Sequence, residues 1–325
     1  VKHGDLDMAM FETTKDVDVH MGIDGAKLQC VDCHTTEKHN ISGKVYSLSS
    51  MNLDRNTCEQ CHTENPHDDN ILNEHSIKVA CQSCHIPTYA KANSTKMYWD
   101  WSTAGKLKDG EPYEEDDSLG NHTYLSIKGS FVWERNVVPD YIWFNGTASH
   151  YLEGDIIKDT TNPLVLNQLH GFYSDNESKI YPVKIHVANQ PYDPVNRILI
   201  QPKLFAEKKG EGAFWKDFNW QTASEVGMKE ANLPFSGNVS FIKTEMYWPV
   251  NHMVATKENT LDCKSCHQRE NSRLAGLNDF YMPGRDYSKI VEVGGVWMLI
   301  LTLLGVLTHR AIRIVLAVRS GKGKK

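Results

Sequence analysis

The chain repeats one short cysteine and histidine pattern four times. Its CxxCH segments are Cys30–His34, Cys58–His62, Cys81–His85 and Cys263–His267. All eight cysteines of the chain belong to these segments, so none is left for a disulfide or a nucleophile. Two thiols at this spacing can form thioethers with the vinyl groups of a haem, and the next histidine can bind its iron. Four copies favour this chemistry over a structural zinc site or a redox dithiol. We therefore predict a tetrahaem cytochrome c with four covalently bound haem c groups.

The motifs assign two roles to their residues. Haem attachment is predicted at Cys30, Cys33, Cys58, Cys61, Cys81, Cys84, Cys263 and Cys266. The predicted proximal iron ligands are His34, His62, His85 and His267.

The second axial ligand of each iron distinguishes an electron carrier from an enzyme. Candidates near the motifs are His20, His39, His67, His75 and His252. His39 and His67 each follow a proximal histidine by five residues, too close to reach the far face of the same ring. We expect these two to bind neighbouring haems. Five donors for four irons predict two histidines on every iron and low potentials.

The surplus histidine has a possible role between subunits. His20, or His3 near the N-terminus, could reach a haem of a second copy of the chain. For the histidines far from any motif, we expect structural roles: His122, His150, His170 and His186.

The elements that must position these residues form five segments. Residues 1–29 are a polar extension and a possible subunit contact. Residues 30–92 are a three-haem module. This module has little apolar periodicity, so the porphyrins would supply its core. Residues 93–251 alternate apolar and polar residues between frequent breakers, which predicts short strands and long ordered loops. A helix is predicted over 222–233, and residues 109–117 are expected to form a solvated acidic loop. The fourth-haem segment is 252–289. The fold class is thus a haem-wrapping cytochrome of irregular structure and short helices, with a strand-rich insert and a C-terminal hydrophobic helix.

The C-terminal segment, residues 290–325, differs in composition from the rest of the chain. Residues 293–308 carry no charge, and basic residues follow them. Sixteen residues are short for a membrane span, but the following segment with snorkelling arginines provides the length. We predict a single-pass anchor with its basic end in the cytoplasm. The alternative is a helix buried against other subunits, in which His309 would bind a haem or touch a quinone of a partner.

Charge and chemistry restrict the compartment and the partners. The net charge of −6 gives no electrostatic case for nucleic acid. Haem c is attached outside the cytoplasmic membrane, and we interpret Val1 as the start of a mature chain after signal removal. An extracellular or cell-surface location follows. Possible glycosylation sequons begin at Asn40, Asn93, Asn121, Asn145, Asn176 and Asn238.

Longer motifs carry a family resemblance over about residues 20–286. They include CHIPTYAKANSTKMYWDWSTAG, KGSFVW, WFNG, QPYD, GEGAFWKDFNW, TEMYWPVNHMV, CKSCHQRENSRL and FYMPGRD. In these motifs the chain resembles the octahaem tetrathionate reductase family. The resemblance implies that His39, His67, His75 and His252 are distal ligands, and that WDWSTAG belongs to the shared scaffold. It covers only the C-terminal half of that family, without the half that contains the lysine-ligated catalytic haem.

Three functional hypotheses follow. The first is an electron-transfer protein with two histidines on every iron, which is either anchored in the membrane or polymerised. By haem count and setting, the chain also resembles, more loosely, the tetrahaem cytochromes of extracellular filaments. Partners would then be other copies of the chain, redox proteins and the membrane. The second is a subunit of a membrane quinol-oxidising complex. The third is a reductase of small sulfur or nitrogen oxyanions, which needs an iron with an open or lysine-occupied position. Because we predict two histidines on every iron, we expect an electron carrier rather than an enzyme.

Overall fold

The computed structural model describes residues 3–43 and 53–322. It consists of two compact units, Val1–Asp262 and Cys263–Lys325. The extension, the three-haem module and the insert all belong to the first unit, as does His252. The second unit contains the fourth CxxCH motif and the apolar segment. The predicted fourth-haem segment is therefore divided between the two units.

Most helices in the described residues are single turns. They are α1 (Cys30–Cys33), α2 (Asn70–His75), α3 (Cys81–His85), α4 (Phe214–Asp217), α5 (Trp220–Glu230), α6 (Cys263–Cys266) and α7 (Lys289–Lys322). Turns of 3-10 helix lie at Met8–Met10, Cys58–Gln60, Trp101–Thr103 and Lys257–Asn259. Every CxxCH motif therefore begins on a helical turn.

The strands of the described residues follow the first motif and fill the insert. They are β1 (Thr36–Glu37), β2 (Asn40–Ile41), β3 (Thr95–Asp100), β4 (Leu107–Lys108), β5 (Glu111–Pro112), β6 (Glu114–Asp116), β7 (His122–Leu125), β8 (Gly129–Glu134), β9 (Asp140–Phe144), β10 (Ala148–His150), β11 (Leu164–Leu169), β12 (Lys179–Asp193), β13 (Ile198–Leu199) and β14 (Ser240–Pro249).

One mixed sheet organises the insert. Its order is β10-β11-β14-β12-β3-β8-β7-β6, and β9 and β13 also pair with β12. β12 runs antiparallel to β14 from Val183 opposite Pro249 to Tyr192 opposite Ser240. The prediction of short strands is thus wrong for β12, which extends over 15 residues. Strand length depends here on partners from distant parts of the chain, which local alternation does not reveal.

The acidic run of residues 109–117 is exposed, as predicted, but it is not a loop. Part of it forms β5 and β6, and β6 pairs with β7 at the edge of the sheet. Carboxylates on an edge strand discourage pairing with another chain. The run is therefore a solvated sheet edge.

The helix predicted over 222–233 is α5. The side chain of Asn219 caps it by accepting the backbone N–H of Thr222 at 3.1 Å. One face is buried, and it includes Gly227 and Met228. A Cβ at Gly227 would lie 2.0 Å from the carbonyl oxygen of Gln201, so only glycine fits this packing.

The N-terminal extension packs into the core of the first unit. Met10 is buried in one cluster with Ile86, Tyr89 and Met253. Ile86 and Tyr89 belong to the HIPTYAK segment that follows the third motif. That segment therefore builds the core between the extension and the loop after β14.

The C-terminal helix α7 is long and apolar enough to cross a membrane. Within the 31 residues Lys289–Arg319, the most apolar window has a mean hydropathy of 2.2 and is not buried by the protein. Its length and composition are those of a membrane span. The last residues of the predicted basic tail, 323–325, lie outside the described part of the chain.

Candidate functional site

Each CxxCH motif places its two cysteines on one helical turn. In the first motif, the backbone N–H of His34 donates to the carbonyl of Cys30 at 2.8 Å. The second and fourth motifs repeat this bond, again at 2.8 Å. Residues three apart on a helical turn share a face, so the turn presents both thiols on the same side.

The cysteines are available for attachment. None of the eight forms a disulfide. Within residues 3–43 and 53–322, no three His, Cys, Asp or Glu side chains are grouped to hold a bare metal ion. This arrangement does not match the four-ligand site of structural zinc.

Three proximal histidines each face one other histidine. Ring centroids are 6.3 Å apart for His34 and His252, 6.1 Å for His62 and His20, and 6.0 Å for His85 and His67. Two imidazoles that bind one metal from opposite sides, with nitrogen to metal distances of about 2 Å, have centroids roughly 6 Å apart. The three histidine pairs, as we call them below, match that separation.

Hydrogen bonds at Nδ1 leave Nε2 of these rings as the nitrogen that can bind a metal. His34 Nδ1 lies 2.8 Å from the carbonyl oxygen of Ser42, and His67 Nδ1 lies 3.2 Å from Oδ1 of Asn73. An Nδ1–H donated to an oxygen leaves Nε2 as the basic nitrogen. This is the tautomer that an axial ligand requires.

His252 has an anionic partner. Its Nδ1 lies 3.3 Å from Oδ2 of Asp5, a carboxylate that is 2% exposed. Burial lowers the pKa of His252, but the hydrogen bond and the negative charge of Asp5 outweigh it and raise that pKa above the ordinary value. The same contact outweighs burial at Asp5 and lowers the pKa of its carboxyl group.

The second and third motifs are neighbours in space. The thiols of Cys58 and Cys81 hydrogen-bond to each other. Burial lowers the pKa of His85, and the nearby rings of His67, His62 and His20 lower it further. Two of the three histidine pairs are therefore adjacent.

His267 of the fourth motif is positioned by the loop that follows it. Its Nδ1 lies 2.8 Å from the carbonyl oxygen of Pro283. Gly284 has φ +86, and a Cβ there would lie 2.9 Å from the carbonyl oxygen of His267. The MPG sequence of this loop thus packs directly on the motif.

The remaining predicted ligands lie outside the three histidine pairs. His39 occupies the turn between β1 and β2 with φ +67, and His75 ends α2 with its Nδ1 2.6 Å from the carbonyl oxygen of Ile71. Their role as distal ligands stays a prediction. Among the histidines expected to be structural, His122 contacts Asp116 at 2.6 Å and His186 contacts the carbonyl oxygen of Lys96 at 3.0 Å.

The aromatic segment after the third motif packs elements of the fold together. Trp99 and Trp101 stack with centroids 4.5 Å apart, and Trp101 meets Trp220 of α5 edge-on. Asp100 accepts the backbone N–H of Ser102 at 3.0 Å. WDWSTAG thereby joins β3 to α5.

The residues fit haem c. Paired thiols on one face of a turn, a histidine next to them and a second histidine about 6 Å beyond are the donors that this group needs. Exposed apolar side chains lie near the first three motifs, where the apolar face of a porphyrin would cover them: Val31, Ile41, Leu53, Ile71, Leu72 and Ile77.

Comparison with known proteins finds c-type cytochromes. The family model described as Cytochrome c bacterial matches residues 96–270, and that described as Cytochrome c554 and c-prime matches residues 5–63. The crystal structure of octaheme cytochrome c from Shewanella oneidensis is 43% identical, with a TM-score of 0.79. The alignment covers 88% of this chain but 65% of that chain, less than two thirds of its length. No curated protein matches this chain.

The fold and the site thus define a multihaem c-type cytochrome that is related to the octahaem cytochromes and transfers electrons. Because the first family model covers more than half of the sequence, this chain belongs to the bacterial cytochrome c family that it describes.

Proposed function

We propose that this chain is a tetrahaem electron carrier outside the cytoplasmic membrane, with two histidine ligands on every iron. The three histidine pairs carry the proposal, because each joins a motif histidine to a distal candidate. Bound haem c would supply a one-electron iron couple. The chain itself attaches the groups through its cysteines, provides the axial imidazoles and excludes external ligands.

The fourth haem needs one distal histidine besides His20, His67 and His252. His39 and His75 are the predicted donors. With all axial positions taken by histidine, no iron offers a position to a substrate, which favours electron transfer over catalysis. This is the argument against a reductase of small oxyanions.

A quinol-oxidising membrane complex is the second candidate. It is favoured by the apolar helix α7, which is in the same compact unit as the fourth motif. Within that unit, Arg269 follows His267 by two residues and pairs with Glu292 in the first turn of α7 at 2.5 Å. The fourth haem of such a protein would lie near the membrane surface, where it could accept electrons from a membrane partner.

Polymerisation into an extracellular filament is a further proposal about the partners. The pairing of His20 with His62 supports a ligand role for His20 within its own chain. Contacts between copies would then use other surfaces, and the haem chain would continue from one copy to the next without a shared ligand.

Haem count and spin state test the proposed function together. Mass spectrometry of the intact protein should show four haem additions, and the ferric and ferrous visible spectra should be low-spin. Carbon monoxide and cyanide should bind negligibly. One readily titrated high-spin haem would favour the reductase, and fewer than four haems would contradict the tetrahaem proposal.

A further inference from the structure

Two buried aspartates of the N-terminal extension contact the loop that carries His252. Asp5 and Asp18 are each 2% exposed. The Oδ2 atom of Asp5 accepts the backbone N–H of Asn251 at 2.8 Å and that of His252 at 3.1 Å, besides its contact with the His252 ring. One carboxylate oxygen therefore fixes both the backbone and the imidazole of this residue.

Asp18 connects two candidate ligands. Its Oδ1 accepts the backbone N–H groups of His20 at 2.9 Å and Met21 at 3.0 Å. Its Oδ2 accepts those of Met253 at 2.8 Å and Val254 at 3.1 Å. The backbone of His20 and the backbone next to His252 are thereby tied to one side chain.

The extension and this loop also share other contacts. Lys91 donates to the carbonyl oxygens of Val17 at 3.0 Å and Met253 at 2.9 Å, and the backbone N–H of Val19 donates to Val254 at 2.9 Å. A buried carboxylate is unfavourable unless hydrogen bonds compensate it. Asp18 receives four backbone N–H groups, and charge-assisted bonds of this kind are stronger than neutral ones. The extension therefore packs against the loop of its own chain that carries His252.

The two rings of one histidine pair have different partners at Nδ1. His34 faces the neutral carbonyl of Ser42, whereas His252 faces the carboxylate of Asp5. A carboxylate that accepts the Nδ1–H of an iron-ligating histidine fixes the ring and increases its basicity. A more basic ligand stabilises the oxidised iron and lowers its potential.

We propose that Asp5 and Asp18 are positioning residues for two axial histidines. Asp5 orients the His252 imidazole and makes it the more basic ligand of its pair, and Asp18 fixes the backbone that carries both His252 and His20. The proposal rests on the proposed function, in which these two histidines bind iron. It makes the extension part of the haem-binding structure.

Redox titration of the full-length, haem-loaded protein tests the proposal. Asp5→Asn removes the charge while keeping the size, so one of the potentials should shift upward and all haems should stay low-spin. Asp18→Asn should change the low-spin electron paramagnetic resonance signals of two haems. Asp16→Asn is the matched control, because Asp16 is exposed in the same segment, and it should change neither.

Two results separate the role of Asp5 from iron ligation by His252. If Asp5→Asn leaves every potential unchanged while His252→Ala produces a high-spin haem, the positioning role of Asp5 is wrong. If His252→Ala leaves the spectrum unchanged, the ligand assignment fails instead. Should Asp18→Asn not fold, amide hydrogen exchange in the wild type decides its role: slow exchange at Met253 and Val254 supports the contact, and exchange at the rate of an open loop overturns it.

Discussion

The imidazole rings of His20 and His62 lie 6.1 Å apart, centroid to centroid, within one chain. His20 comes from the polar extension that sequence reasoning assigns to a contact between subunits. Its position next to a motif histidine supports a different role, as the distal ligand of the second haem. In that arrangement, haem binding and the order of the extension depend on each other.

The three distal histidines can be tested one at a time. Replacing His20, His67 or His252 with Ala should leave one iron without its second imidazole, so each variant should show one high-spin haem that binds carbon monoxide. The potential of that haem should rise. Visible and electron paramagnetic resonance spectra provide the measurement. His122→Ala is the control, since this half-exposed ring contacts Asp116, and it should leave the spectrum unchanged.

The stability of the first unit should depend on pH through Lys184. This side chain is 0% exposed, and its Nζ donates to Oγ1 of Thr95 at 2.6 Å. Burial lowers the pKa of Lys184 to about 7; the negative charge of Asp5 opposes this shift, and the positive charge of Lys96 adds to it. The unfolded chain keeps a lysine pKa of about 10.4.

Proton binding by Lys184 determines whether stability rises or falls with pH. Between about pH 7 and 10.4 the unfolded chain holds a proton that native Lys184 lacks, so stability rises with pH by roughly 5 kcal/mol in total. Lys184→Met should therefore be more stable than the wild type near pH 6, and the difference should shrink towards pH 10.5. Urea unfolding at several pH values measures it. A difference that stays constant with pH would contradict the lowered pKa.

Arg285 should stabilise the loop around the fourth motif. It is 8% exposed, and its guanidinium donates to the carbonyl oxygens of Leu274 at 2.8 Å and Phe280 at 2.9 Å, and to Asp286. Arg285→Met would leave these acceptors unpaired and should lower the free energy of unfolding of the second unit by about 3 kcal/mol. Denaturant unfolding, with proteolysis of the loop, measures the effect.

The control for this change is Arg269→Met. Arg269 is exposed in the same unit, so loss of its ion pair with Glu292 should cost at most about 1 kcal/mol. Equal effects of the two variants would show that burial of Arg285 does not determine its contribution.

Removal of α7 separates an anchor from an assembly surface. Truncation after Ser288 should release a water-soluble protein with an unchanged haem spectrum, because the most apolar window of α7 is not buried against the described part of the chain. Membrane fractionation measures the release. Loss of polymers with unchanged protomers would assign the helix to assembly, and loss of the haem spectrum would contradict both roles.

The sequence predicts the motifs because CxxCH is a local pattern, and the cysteine count excludes other uses. It also predicts α5 and the apolar helix, whose spacing and composition are local as well. The length of β12 is not predictable in this way, because its partners β3, β9 and β14 come from distant segments.

The histidine pairing is likewise a long-range property. Sequence spacing selects His20, His67 and His252 as candidates, but the contact of each with a particular motif depends on the folded chain. Asp5 and Asp18 carry no signal at all, since both lie in a segment where acidic residues are frequent. Only their burial reveals them.

A high-resolution structure of the haem-loaded protein would show the ligands of each iron directly. We predict imidazole density on both faces of each iron, with His252 opposite His34, His20 opposite His62 and His67 opposite His85. An iron with water, lysine or no ligand opposite its motif histidine, or a distal histidine from a second copy at these positions, would contradict it.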